Sequence, residues 1–344
     1  MRVLQLILAI MMLIYSSMMI AANERYQSVR PIKIDVFSDN ASTQQQELLY
    51  SLKKVLLEQH NIEVQENLIF WKRQNNWVAH INRSESDYII TLGQNSLEMV
   101  MFQSPNKPII ALMVNADTLD TLSSNPHGEI YAITHQQPLY RYFALIKALN
   151  IFQAKTGTFF SHVNRTKKAQ YIKLADFYNL PFEQINVNPK YQGKDAVEHL
   201  ANCCKILLHD RDSVYPNGKA RKSILINSYR HRVVVLANAP TLLKEGAMLA
   251  LFSQPYKIGE QAAKMLAQID NKSLEHPYQY PDDFAIKINR RIAKLLLNQE
   301  ISLGKIIENI ETQEAIYKQR FEAATEHHLP VAQDISKLHD KSKH

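Results

Sequence analysis

Apolar runs of strand length alternate along this chain with segments of helix length, and that alternation constrains the fold more than any single motif. "PIKIDVF" (31–37), "DYIITLG" (87–93) and "KPIIALMV" (107–114) each end in polar residues. Helical patterns follow the first two. The theme repeats through "GEIYAITH", "KTGTFFS", "EQINVNP", "CKILLHD" and "RVVVLAN". Strands buried on both faces read as continuous Val, Ile and Leu runs, and the intervening helices make the crossovers that parallel pairing requires. "IEVQENLIF" (62–70) mixes polar residues into its run and reads as an edge strand. Two sets of about four or five strands, divided near 135–138, predict an α/β protein with two doubly wound parallel-sheet lobes. After "HPYQYPDD" the pattern resumes, and "FAIKIN" returns the chain to a lobe. Crossovers are therefore expected near 135–138, 252–256 and 280–284. Lobe I is assigned 30–135 plus about 256–298, and lobe II 136–255.

The chain has 344 residues, enough for one large or two ordinary domains with real cores. Its formal charge is +7, but Lys and Arg are scattered among Asp and Glu and no basic block is interleaved with aromatics. That pattern is a solvated surface rather than a nucleic-acid footprint. Residues 1–22 have the layout of a signal peptide: Arg2, an acid-free apolar stretch from Val3 to Ile20, then Ala21-Ala22 before Asn23-Glu24-Arg25. Cleavage after Ala22 would leave no stable membrane insertion; an uncleaved anchor is the alternative. The only cysteines are Cys203 and Cys204, so this leader carries none for a lipid. A periplasmic, non-lipidated protein is the expectation. The adjacent cysteines read as two small apolar residues entering a strand rather than as a strained disulfide.

In open parallel sheets ligands bind outside the carboxyl ends of the strands. Those ends carry Ser38, Asp39, Gln94, Asn95 and Asn115 in the first set, and His162, Asn164, Asp212, Ser213 and Asn238 in the second. If the two carboxyl edges face each other, these residues line one cleft. Helix N-termini there suit a carboxylate, and Asp side chains suit an ammonium group. Capping or turn formation is the competing role for each of them. Asp210 and Asp212 share a face on an extended strand, as an acid/base pair would, yet neither has a nucleophile partner in sequence. The chain contains no G-x-S-x-G elbow, phosphate loop, H-E-x-x-H or C-x-x-C. His135 and His162 have no metal-ligand partner at recognisable spacing. No catalytic residue, metal or cofactor is expected. From Leu303, Ile306, Ile307, Ile310, Tyr317 and Phe321 recur at helical spacing. Residues 299–344 are assigned a helical extension, either packed back onto a lobe or docking a partner, and a polar tail.

Four segments carry a resemblance: "HQQPLYRYFALIKALN", "HDRDSVYPNGKARKSIL", "VVVLANAPTLLKEGAMLALFSQPYKIGEQAAKML" and "DFAIKINRRIAKLL". Together they resemble the ABC-transporter substrate-binding-like proteins of the type I periplasmic binding protein fold, the group that includes aromatic amino-acid binders. The resemblance covers roughly 30–298, and "KEGAMLALFSQPYKIGEQAA" is its most specific block. It implies two lobes around a ligand cleft and makes Asp212 the counterpart of the family's loop aspartate. Gln136 and Tyr215, in the matching segments, and Glu245, before Gly246-Ala247, join the candidate ligand-binding set. The expected function is capture of a small polar, amino-acid-like ligand for an inner-membrane permease. The alternative is a ligand-sensing module that reports to a membrane sensor.

Overall fold

The computed structural model describes residues 29–322 except 74–75, 104–105, 119–128, 150, 152–153, 161–164, 188–192, 210–217 and 298–299. The expected leader and the tail after Glu322 lie outside the described residues. Two six-stranded sheets organise the rest. The first contains β1 (Arg30–Ser38), β2 (Ile62–Phe70), β3 (Tyr88–Leu92), β4 (Ile109–Val114), β5 (Ile130–Thr134) and β11 (Tyr278–Gln279), in the order β11-β5-β4-β3-β1-β2. The second contains β6 (Thr156–Phe160), β7 (Phe182–Asn186), β8 (Ile206–His209), β9 (Val234–Ala237), β10 (Leu249–Phe252) and β12 (Ala285–Ile288), in the order β12-β10-β9-β8-β6-β7. Counted from its own first strand, each sheet runs 2-1-3-4-5, the doubly wound order. β1 pairs in parallel with β2 and β3, β6 with β7 and β8, and β9 with β8 and β10.

The first set of helices is α1 (Thr43–His60), α2 (Trp77–Arg83) and α3 (Gln94–Phe102). Four follow in the second half: α4 (Leu139–Leu149), α5 (Arg165–Tyr178), α6 (Gly193–Cys203) and α7 (Gly218–Arg230). The chain then adds α8 (Pro255–Asp270), α9 (Arg290–Leu297) and α10 (Leu303–Glu322). The described residues form two compact units. One holds the chain up to Ala111, with 129–131 and Gly259–His276; the other holds 112–118, Ala132–Ile258 and the chain from Pro277 onward.

Strand alternation builds the second unit's core. Ile206, Leu208, Val234, Leu236, Leu249 and Leu251 point to one face, into a cluster with α4, α5, α9 and α10. Leu207, Val233, Val235 and Ala250 point to the other, against α6 and α7. Successive Cβ atoms on a strand face opposite ways, so one apolar run supplies both layers. In the first unit α1 buries Leu48, Leu52 and Leu56. Gly259 of α8 meets α1 backbone to backbone: a Cβ added there would lie 2.2 Å from the Leu48 carbonyl oxygen.

Two expectations are corrected. Residues 285–297 were assigned to lobe I, but β12 pairs antiparallel with β10 from Leu249↔Ile288 to Phe252↔Ala285, and α9 packs Ile292 and Ala293 into the second unit's core. The assignment failed because periodicity carries no information on pairing partners. Ser38 and Asp39 do not cap α1; Ser42 does, in a reciprocal capping box with Gln45. The extension after 299 packs back as α10, burying Ile306 and Ile310 against the cluster that contains α4. Cys203 and Cys204 are both free thiols, and burial pushes the Cys204 thiol well above its usual range.

Candidate functional site

At the carboxyl end of β1, Ser38 is buried and its hydroxyl donates to the Asn40 carbonyl at 2.7 Å. Asp39 pairs with Lys72 at 3.2 Å. Lys72 also lies 5.2 Å from the Trp71 ring centroid. Trp71, directly after β2, is half-buried; its indole N–H donates to Ser96 at 3.2 Å and its backbone N–H to the Ser38 carbonyl. After β3, Gly93 adopts φ +88°, where a side chain would be strained, and opens α3. Gln94 donates to Glu98 at 2.7 Å, and Asn95 is exposed. Trp71 was absent from the sequence-derived set. Its signal was an aromatic residue at a strand's carboxyl end, beside the switch point between β1 and β3.

The end of β4 is backbone-strained. Met113 has φ +61°, unusual for a long side chain, one residue before the strand's last position. His135 holds this end in place: its backbone N–H donates to the Val114 carbonyl, and its Nδ1 lies 3.2 Å from the Met113 carbonyl and 3.0 Å from that of Val114. Gln136 accepts from the Ala116 backbone N–H at 2.7 Å, which fixes the turn after Asn115. Asn115 is half-buried and its carbonyl accepts from Thr118. Gln136 thus has a turn-forming role in this structure.

In the second sheet the switch point falls between β6 and β8, and the residues that follow those strands, including His162, Asn164, Asp212, Ser213 and Tyr215, lie outside the described residues. Asn238 follows β9 half-buried. Glu245 pairs with Arg221 of α7, with both oxygens 3.4 Å from guanidinium nitrogens. Its carboxylate is therefore engaged in a salt bridge rather than standing alone beside Gly246.

The second unit holds a buried polar hub that sequence reading did not find. Gln137 donates to Ser253 at 2.7 Å and to the Asp283 carbonyl at 2.9 Å, and accepts a short hydrogen bond from Arg141. Arg141 is 2% exposed and makes a two-pronged pair with Glu314 of α10, at 2.9 and 2.5 Å. The same guanidinium donates to the carbonyls of Pro281 and Asp282. Burial alone would raise the Glu314 carboxyl; hydrogen bonding and charge from Arg141, with help from Lys318, outweigh it and hold it below the ordinary range. Among the described residues no group of His, Cys, Asp and Glu is placed to hold a metal ion, and no helix is long and apolar enough to cross a membrane.

No family model matches this sequence, and no curated protein matches it. Solved structures do. The ligand-free, open structure of CD0873 from Clostridium difficile, described as a substrate binding protein with adhesive properties, aligns with a TM-score of 0.62 at 14% identity, over 79% of this chain and 97% of that one. A conserved domain protein from Vibrio cholerae aligns at 0.52 and 16% identity, covering 80% and 97%. An ABC domain in complex with L-Trp from Streptococcus pneumonia aligns at 0.50 and 12% identity, covering 80% and 98%. With two parallel-dominated sheets of doubly wound order, the chain has the type I periplasmic binding protein fold.

Proposed function

We propose that this protein is a periplasmic solute-binding protein that captures a small polar, amino-acid-like ligand and delivers it to an inner-membrane permease. It acts by holding its ligand, with no catalytic step and no cofactor. The observation that carries this reading is the repeated 2-1-3-4-5 strand order, because that order creates a crevice at the carboxyl ends beside each sheet's first strand. Polar side chains stand at both switch points in the sequence: Ser38, Asp39 and Gln94 in one, Asp212 and Ser213 in the other. Of the sequence candidates, Asn95, Asn115, Asp212 and Asn238 are assigned to the ligand, and Trp71, directly after β2, is added to them. An indole face suits an apolar or aromatic ligand body, and a carboxylate suits an ammonium group.

A thermal-shift screen of the amino acids and small amines against the exported protein tests this. At least one should raise the melting temperature in a saturable way. A screen with no hit, repeated by calorimetry, would remove amino-acid-like ligands from the reading. Crosslinking in intact cells would then identify the recipient: a permease supports delivery, and a membrane sensor in its place overturns it.

A further inference from the structure

The chain passes between its two sheets three times, through 135–138 after β5, 253–254 after β10, and 280–284 between β11 and β12. All three passages meet at two side chains. Gln137 sits in the first and bonds Ser253 in the second and the Asp283 carbonyl in the third. Ser253 in turn donates to the His135 carbonyl. Arg141, one helical turn after Gln137, bonds the Pro281 and Asp282 carbonyls and stacks 5.0 Å from the Phe284 ring centroid. Its remaining donors go to Gln137 and to Glu314 on α10, whose other contacts are Tyr140 and Lys318. A guanidinium this deeply buried stays in place only while its carboxylate partner does.

We propose that α10 is a latch on the three passages: Glu314 acts as a positioning residue that holds Arg141, and Arg141 with Gln137 holds the segments about which a ligand-driven movement would turn. The helix is more than a lid on the core. Its apolar face alone, through Ile306, Ile310 and Tyr317, would fasten it to α4 without any charge. Placing a carboxylate on that face instead couples the helix to carbonyls in a different part of the chain. Undocking of α10, by a partner or by cleavage, would free the passages and change how readily the protein moves on binding. That consequence rests on the ligand-binding reading; the latch itself does not.

Hydrogen exchange on the full chain, without ligand, separates the two. In Glu314→Gln, peptides spanning 132–142 and 278–286 should exchange on the order of a hundredfold faster, as expected for a buried ion pair broken on one side. Peptides from β1 and β3 should not change. Because that variant leaves a buried charge, the double variant Arg141→Met, Glu314→Met provides a second measurement with no unpaired ion. There α10 should stay protected through its apolar face while 278–286 still exchanges faster. Faster exchange confined to α10, or a uniform rise across the second unit, would overturn the latch and leave the pair as a fastener of the helix. Failure to find a ligand would leave either exchange result unchanged.

Discussion

Asp35 sits in β1 between Ile34 and Val36, with its side chain 4% exposed. An alternating reading of "IKIDVF" would send it to water, and a buried run has no place for it. The structure answers with donors: His80 of α2 at 3.1 Å and Asn67 of β2 at 3.2 Å. Burial raises the Asp35 carboxyl, but hydrogen bonds from Ser84, His80 and Ser86 outweigh that and leave it below the ordinary aspartate range. A depressed folded value means the stabilisation is fully present above the unfolded pKa, near 3.9, and is lost as pH falls through the folded value. Asp35→Asn should therefore cost about 2 kcal/mol at neutral pH. The gap between the urea midpoints of the two proteins should close below about pH 4. Equal midpoints at pH 7 would show that the contacts carry no net stability. The proposed ligand aspartate behaves differently. Asp212→Asn is expected to weaken binding of the screened hit by roughly 30- to 5,000-fold, the cost of about 2–5 kcal/mol for one lost partner of a buried charged bond. The unliganded melting temperature should barely move. Unchanged affinity would remove Asp212 from the site. Asp212 and Asn238 are proposed because topology alone sends ligands to strand carboxyl ends. Gln136 and Glu245 have partners that a sequence does not reveal, a nearby backbone N–H and Arg221.

At the scale of elements, the glycine in "KIGEQAA" has a reason that local sequence does not reveal. Gly259 lies inside α8, where glycine costs helix stability relative to alanine. The cost is accepted because α1 approaches so closely that the Leu48 carbonyl occupies the space of a Cβ. Gly259→Ala, which would stabilise an isolated helix, should here destabilise the protein by about 1–3 kcal/mol, since the clash is with backbone that cannot rotate away. Chemical denaturation decides it, and a variant as stable as the parent would mean the two helices can separate at no cost. The same limit applies to α10. Its stripe of Ile306, Ile310, Tyr317 and Phe321 was readable at helical spacing, and it includes Glu314 in the same register. A carboxylate inside a buried stripe is itself a signal that a cation waits opposite, but nothing in the local pattern points to Arg141, 173 residues earlier. The lobe that β12 joins was hidden for a related reason. "AIKI" has no feature that selects antiparallel pairing with β10, and only the packed second unit decides it.

At the scale of the molecule, the fold class was legible because each of the two sheets is written twice: once in its apolar runs, and again in the helices that join them. What a single pass along the chain conceals is which side chains bind its three returns together. Three passages between the sheets, all bonded to Gln137 or Arg141, constrain any movement more tightly than one flexible linker would. Such a protein should move as two bodies about short segments rather than by loosening throughout. Scattering and thermal shift then measure different things. At a hundredfold excess over Kd, any ligand that binds only the folded state adds about 2.7 kcal/mol, whether or not the protein moves. A fall in radius of gyration at the same saturation reports the movement alone. Both changes are expected with the hit from the amino-acid screen. In Asp212→Asn, a concentration raised to restore saturation should restore the compaction too, because that side chain is assigned to affinity and not to the turning segments. A thermal shift with an unchanged radius of gyration would mean the protein binds without closing, and the passages would then be a rigid frame rather than a hinge.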